Sequence, residues 1–130
     1  MEQKSRTRWR NKCDALWYQI QHRRYKRCAK CNLGPVEIHH LVPKNGHSAT
    51  RTELDNGIPL CEDHHKGSDF SAHRTPEAFM EWLKEKRPWN WIYIGANQER
   101  IERVDWEERY AELRSEYNRT QNGLQGEQRL

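Results

Sequence analysis

The sequence has no long run of apolar residues. Its 130 residues contain no stretch of 18 apolar side chains, so no transmembrane helix is predicted, and the N-terminus lacks the apolar segment of a signal peptide. Apolar residues make up only 34% of the chain, which predicts one domain with a small core. We find no internal repeat and no low-complexity tract. These absences predict an intracellular, cytoplasmic protein that does not enter a membrane.

Cysteine is scarce, and its placement indicates a metal rather than a disulfide framework. Only four cysteines occur, and three of them lie in residues 28–65 with five of the seven histidines. C-x2-C and C-x2-H pairs can each place two ligands on one ion, and four such ligands suit tetrahedral zinc. Zinc would staple a small core, and a reducing cytoplasm keeps thiols available. We predict a structural Zn²⁺ held by Cys28, Cys31, Cys61 and His64.

Two alternatives to this zinc site are open. A disulfide is the first, although C-x2-C and C-x2-H pairs separated by about thirty residues favour a metal. Cys13 could also replace His64 as the fourth ligand. It lies alone in a helical pattern, however, so we expect it to be a small buried apolar residue.

Several histidines are left over after the zinc ligands are assigned. Residues 36–41 read as a strand, so His39 and His40 would point to opposite faces unless a bulge or the strand end intervenes. His65 directly follows His64 at the start of a predicted helix, so one helix start could serve two ions. Two HH pairs beside a zinc knuckle therefore predict a second metal site.

The order of these motifs resembles the HNH endonucleases of the ββα-metal superfamily. The matching motifs are C-x2-C, E-I-H-H-L-V-P and N-G-I-P-L-C-x2-H-H-K, within 38 of the 130 residues. The resemblance implies an α+β fold with a ββα-metal core, stapled by structural zinc and flanked by helices. Relatives usually have a cysteine as the fourth zinc ligand, whereas this chain has His64.

The resemblance also assigns roles in a catalytic site. It implies that His39 is a metal ligand and that His40 is the general base. It implies that Asn56 orients the hairpin or lies near the metal, and that His65 is a second protein ligand. Asp69 matches the position of a further metal ligand in some relatives. The alternative for Asp69 is a solvated carboxylate at a helix end.

The implied activity is metal-dependent hydrolysis of DNA, leaving 5′-phosphate and 3′-hydroxyl ends. A neutral imidazole can take the proton of the attacking water, and one divalent ion can stabilise the charge on the phosphate. Mg²⁺, Mn²⁺, Ni²⁺ or Zn²⁺ could serve as this ion. The resemblance to phage and mobile-element HNH proteins places such a chain in the host cytoplasm. Alternatives are a non-catalytic zinc-containing DNA- or RNA-binding module, an RNase and a protein adaptor.

Positive charge is concentrated at the N-terminal end. Residues 1–31 carry ten Lys and Arg against two acidic residues, and the rest of the chain carries thirteen against seventeen. Such a cluster is typical of a phosphate-binding surface, although basic residues at a helix C-terminus also complement its dipole. We predict a flexible basic arm followed by a helix from about Asn11, with an apolar face. The predicted DNA contacts are Arg6, Arg8, Arg10, Lys12, Arg23, Arg24, Lys26 and Arg27.

The remaining segments complete the predicted organisation. A polar loop containing His47 spans residues 42–56, and Thr75-Pro76 begins a helix that Pro88 ends. Residues 89–94 alternate and predict a short strand or an extended packing segment. Asp105 caps a last helix, which runs to about Asn118 and carries an aromatic stripe. This stripe could dock on the same chain, on a second copy, as in a homodimer, or on another protein partner.

These segments divide the chain into four predicted parts. The first is the basic arm and helix, and the second is the zinc-stapled HNH core. The third is a pair of helices that pack on that core, and the fourth is a disordered tail. Their bounds are 1–27, 28–72, 73–118 and 119–130.

Overall fold

The computed structural model describes residues 3–67 and 69–122, without the side chains of residues 121 and 122. Helix α1 (Gln3–Arg24) precedes strand β1 (Glu37–His40), helix α2 (Ser48–Arg51), strand β2 (Gly57–Leu60) and a π-helical turn (Asp63–Gly67). Three helices follow: α3 (Pro76–Lys86), α4 (Pro88–Asn97) and α5 (Trp106–Asn122). The described chain is therefore an α+β structure, as predicted.

The hairpin of β1 and β2 lies at the centre of the described chain. The two strands pair antiparallel without a bulge, from Glu37 opposite Leu60 to His40 opposite Gly57. Every residue of β2 is buried, and Ile58 and Leu60 join α3 and α4 side chains in one hydrophobic cluster. Because successive strand residues face opposite sides, His39 and His40 diverge at the end of β1.

Helices α1 and α5 form a second hydrophobic cluster. The predicted apolar face of α1 is buried, and it packs against Trp106 and Leu113 of α5. Tyr110 and Tyr117 complete the α5 side of this contact. The aromatic stripe of α5 thus docks on its own chain. Cys13 is buried in this contact, as predicted, and the Cys13 thiol donates to the Trp106 carbonyl oxygen at 3.3 Å.

Helix α1 begins at Gln3, which is earlier than the predicted start near Asn11. Contacts with the C-terminal part of the chain explain the difference. Trp9 packs edge-on against Tyr110 with ring centroids 5.4 Å apart, and Arg6 donates to the Val104 carbonyl oxygen at 3.1 Å. The predicted flexible arm is therefore helical from Gln3, because tertiary packing stabilises turns whose own pattern is polar.

The prediction of a strand or extended segment over residues 89–94 is wrong, because this segment forms α4. Pro88 occupies the first turn of α4, where a backbone N–H would have no partner within the helix, so its absence in proline costs nothing. The buried positions Asn90 and Ile94 are four residues apart, which is helical spacing. Trp89 and Ile92 stay largely exposed, at 57% and 60%. The alternation of large side chains concealed this spacing.

The other C-terminal elements agree more closely with the sequence. Helix α3 spans Pro76–Lys86 with Thr75 at the N-cap, and Asp105 caps α5 by accepting the Glu108 backbone N–H at 3.1 Å. Helix α5 continues to Asn122, so residues 119–122 of the predicted tail are helical. Residues 123–130 lie outside the described chain. No helix in the described ranges is long and apolar enough to cross a membrane.

Candidate metal centres

The four predicted zinc ligands meet at one point. Their ligand atoms all lie within 4.8 Å of one another. The distance from Cys61 Sγ to His64 Nδ1 is 3.3 Å, and that from Cys31 Sγ to Cys61 Sγ is 3.8 Å. Ligands of a tetrahedral zinc lie about 3.3–3.8 Å apart, given bond lengths of about 2.0–2.3 Å. The cluster could therefore hold a metal ion such as zinc.

Backbone hydrogen bonds hold the C-x2-C turn against the hairpin. Ala29 donates its N–H to the carbonyl oxygen of Pro59 in β2, at 2.8 Å. Asn32 donates to the Cys28 carbonyl oxygen and adopts a positive φ of 66°, which closes the turn. Burial by itself raises the pKa of Cys28, but hydrogen bonds from backbone N–H groups and from His64 lower it to about 6. A thiolate, which is the form that binds metal, is thus favoured at Cys28.

A second cluster of nitrogen ligands lies next to this one. His39, His65 and His73 place ring nitrogens within 4.8 Å of one another. The Nε2 atoms of His65 and His73 are 3.1 Å apart, and the ring centroids of His39 and His65 are 5.0 Å apart. Three imidazoles form a donor set that could hold a transition-metal ion. Two of the three, His39 and His65, are residues that the sequence assigned to this site.

His73 is a candidate ligand that the sequence analysis does not identify. The resemblance implies Asp69 as the candidate third ligand. Among the described residues, the group includes His73 and does not include Asp69. Two backbone hydrogen bonds bring His73 to His65, from Ala72 N–H to His64 O and from His73 N–H to His65 O. No helix of the described chain contains both His65 and His73, so only this return of the chain reveals the neighbour.

A carboxylate orients one of these histidines. Nδ1 of His65 donates to Glu37 Oε1 at 2.5 Å, which leaves Nε2 to face His73 and the cluster. This hydrogen bond lowers the pKa of the Glu37 carboxyl group. Burial, followed by the neighbouring His65 and His73, lowers the pKa of His39 to about 3. His39 is therefore neutral, which is the form of imidazole that binds a metal.

His40 lies beside this cluster but faces α1. Its ring stacks on Trp17 with centroids 4.2 Å apart, and its Nε2 lies 3.1 Å from the Arg51 carbonyl oxygen. A carbonyl oxygen only accepts, so Nε2 carries the proton and Nδ1 keeps its lone pair. Burial lowers the pKa of His40 to about 4, so the ring is neutral near pH 7. His40 is near enough to His39 that its charge would lower the pKa of His39 further.

Asn56 holds the loop that positions His40. Its side chain is fully buried, accepts the Val42 N–H at 2.7 Å and donates to the carbonyl oxygens of Val42 and Thr50 at 3.0 Å. The loop therefore closes around Asn56. Arg51, whose carbonyl oxygen accepts from His40, is itself paired with Asp14 of α1 at 2.7 Å.

The predicted DNA-contacting residues divide into two groups. Arg8, Lys12, Lys26 and Arg27 are exposed. The others are partly buried: Arg23 lies 4.0 Å over the Tyr117 ring, and Arg6 donates to the Val104 carbonyl oxygen. Arg10 is half-buried, and Arg24 lies 5.5 Å over the Tyr25 ring. Part of the N-terminal positive charge thus stabilises the packing of α1.

Substitution of a ligand in the first cluster should remove its metal. We expect Cys31→Ser to lose bound zinc and to lower the thermal midpoint, because metal binding and folding are coupled in such a turn. Cys13→Ser is the matched control, since Cys13 is buried but lies outside the cluster. Elemental analysis and thermal denaturation measure both effects. Full zinc content in Cys31→Ser would contradict this ligand set.

Substitution of the third histidine should weaken the second site alone. We expect His73→Ala to weaken Ni²⁺ or Zn²⁺ binding roughly tenfold or more, because one of three ligands is lost. Asp69→Ala is the control and should leave the affinity unchanged. Calorimetric titration of protein already loaded with one zinc per chain measures the second site. Equal affinities for His73→Ala and the unmodified chain would remove His73 from the site.

The two clusters are described from the structure of this chain, without support from related proteins. No family model matches the sequence, and neither a curated protein nor a solved structure matches it. The likeness to HNH endonucleases therefore stays a prediction from the motifs. The structure adds an α+β fold with one cluster of Cys and His and one cluster of His alone, each of which could hold a metal ion.

Proposed function

We propose that this chain is a metal-dependent HNH endonuclease that hydrolyses phosphodiester bonds in DNA. The observation that carries the proposal is the convergence of His39, His65 and His73, with neutral His40 beside them on β1. A zinc-binding recognition module needs neither the three-histidine set nor the adjacent neutral imidazole. The structural Zn²⁺ would stabilise the turn from which His64 and His65 project.

The second cluster fits the divalent ion that this reaction needs. Its three imidazole ligands, one of them oriented by Glu37, suit Mn²⁺, Ni²⁺ or Zn²⁺, and three protein ligands would leave positions for a phosphate oxygen. When bound, the ion supplies Lewis-acid stabilisation of the negative charge on the phosphate and on the leaving oxygen. His39, His65 and His73 would hold it at the end of β1.

His40 would act as the general base. Its Nδ1 lone pair is available because Nε2 donates to the Arg51 carbonyl oxygen. The proton of the attacking water passes to Nδ1 as the water oxygen bonds to phosphorus. The bond from phosphorus to the 3′-oxygen breaks, and the leaving oxygen takes a proton from solvent, which leaves a 5′-phosphate and a 3′-hydroxyl. The stacking of His40 on Trp17 and the loop closed by Asn56 keep the ring in place.

A plasmid cleavage assay tests the proposal. We expect the zinc-loaded chain to nick or linearise plasmid DNA when Mg²⁺, Mn²⁺, Ni²⁺ or Zn²⁺ is added. His40→Ala should lower the rate roughly a hundredfold or more, because a positioned general base contributes about that much. His47→Ala is the matched control, since His47 is a loop histidine outside both clusters, and it should cleave like the unmodified chain.

Two outcomes would contradict parts of the proposal. Undiminished cleavage by His40→Ala would remove His40 as the base. Tight, salt-sensitive DNA binding without cleavage under any metal would instead indicate a recognition module. The same assay on single-stranded RNA separates a DNase from an RNase, since preferential cleavage of RNA would change the substrate class.

A further inference from the structure

A cleft of about 480 Å³ opens between the end of α1, the start of β2 and the first turn of α4. We name it the α1–α4 cleft, and its polar and aromatic lining includes Arg24, Tyr25, Asp55, Arg87 and Trp89. Its volume lies within the range of about 300–1,000 Å³ that is common for small-molecule sites. None of these five residues belongs to either metal cluster.

Arg87 presents a fixed guanidinium group to this cleft. Its Nε donates to Asn90 Oδ1 at 2.7 Å, and Asn90 is itself buried. Burial lowers the pKa of Arg87, and the neighbouring Tyr25 offsets part of this decrease. Within residues 3–67 and 69–122, neither Arg87 nor Arg24 forms an ion pair with a carboxylate. Two guanidinium groups in one cleft without such partners favour an anion, and the fork of arginine matches a phosphate.

An aromatic ring lies beside these charges. Trp89 is 57% exposed, although indole rings in proteins are buried on average, and the Arg87 guanidinium lies 5.0 Å from its ring centroid. Tyr25, which follows α1, also lines the cleft. An exposed aromatic ring beside cationic groups is an arrangement on which nucleic-acid bases stack. Asp55 leaves the cleft with a net positive charge and adds an acceptor for a base N–H.

We propose that the α1–α4 cleft binds one unstacked nucleotide of a DNA strand. The base stacks on Trp89, and its phosphate pairs with Arg87 and Arg24. This inference rests on the proposed nuclease function and adds a place where the substrate strand is held away from the metal. A base can reach Trp89 only when it leaves the duplex stack, so the site selects single-stranded or distorted DNA.

The position of the cleft relative to His40 suits one continuous strand. Gly57 lines the cleft and pairs with His40 across the hairpin. Tyr18 touches His40 edge-on, with ring centroids 5.9 Å apart, and Tyr25 follows it after two helical turns. Two turns span about 10 Å, which equals roughly three steps at the rise of a stacked DNA strand and fewer in an extended one. The nucleotide in the cleft would thus lie a few steps from the bond that is cleaved.

Substitutions in and beside the cleft test this site. Fluorescence anisotropy of a labelled single-stranded DNA, without added divalent ion, measures affinity at two salt concentrations. We expect Trp89→Ala to weaken binding roughly tenfold and Trp89→Phe to retain most of it, since stacking needs only a ring. Arg87→Ala should weaken binding and reduce the salt slope by about one.

The chain offers a matched control on the same helix. Trp91 is also exposed, and it carries a cation, Lys84, at 5.2 Å from its ring centroid. It does not line the α1–α4 cleft. Trp91→Ala should therefore bind DNA like the unmodified chain. An equal loss in Trp91→Ala and Trp89→Ala would overturn the proposal, because it would indicate diffuse contact with α4.

Photocrosslinking locates the nucleotide in the unmodified chain, without dependence on how the variants fold. We expect an oligonucleotide that carries 5-iodouracil to attach to Trp89 or Tyr25, as identified by mass spectrometry of the crosslinked peptide. Attachment elsewhere alone, or Trp89→Ala binding as tightly as the unmodified chain, would overturn the cleft while plasmid cleavage still supports the nuclease. Attachment in the cleft without cleavage under any metal would support the cleft and contradict the nuclease. Absence of DNA binding would contradict both.

Discussion

Four ligand atoms from two distant segments meet in the cluster of Cys28, Cys31, Cys61 and His64, and the second site depends on that meeting. A chain with few apolar residues has a small core, which does little to fix two segments that are about thirty residues apart. A metal ion such as zinc would link the C-x2-C turn to the chain after β2. Because His65 follows His64 directly, whatever positions one histidine also positions the other.

In the π-helical turn and in β1, histidines that are adjacent in sequence point to different sites. His64 points to the thiol ligands, whereas His65 faces His39 and His73. On β1, His39 joins the three-histidine cluster and His40 turns to α1, where Trp17 stacks on its ring. A proposed metal ligand and a proposed base can thus be adjacent in sequence without competing for one ion.

Helix α1 connects this site to the rest of the chain. One of its faces packs on α5, and Asp14 pairs with Arg51, whose carbonyl oxygen accepts from His40. The basic residues near its two ends therefore serve packing as well as any DNA contact, as Arg6 and Arg23 illustrate. The α1–α4 cleft begins where this helix ends, so α1 would align the substrate strand in our proposal.

Local patterns determined much of this protein. C-x2-C and C-x2-H spacing predicted the first cluster, and helical periodicity predicted the buried face of α1, because each depends on neighbours within one turn. Tertiary structure alone decided that His73 joins His39 and His65, and that residues 88–97 form a helix with Trp89 exposed. These outcomes depend on how the chain returns after the π-helical turn and on which surface α4 packs against. Contacts between residues distant in sequence set both, and no local spacing encodes such contacts.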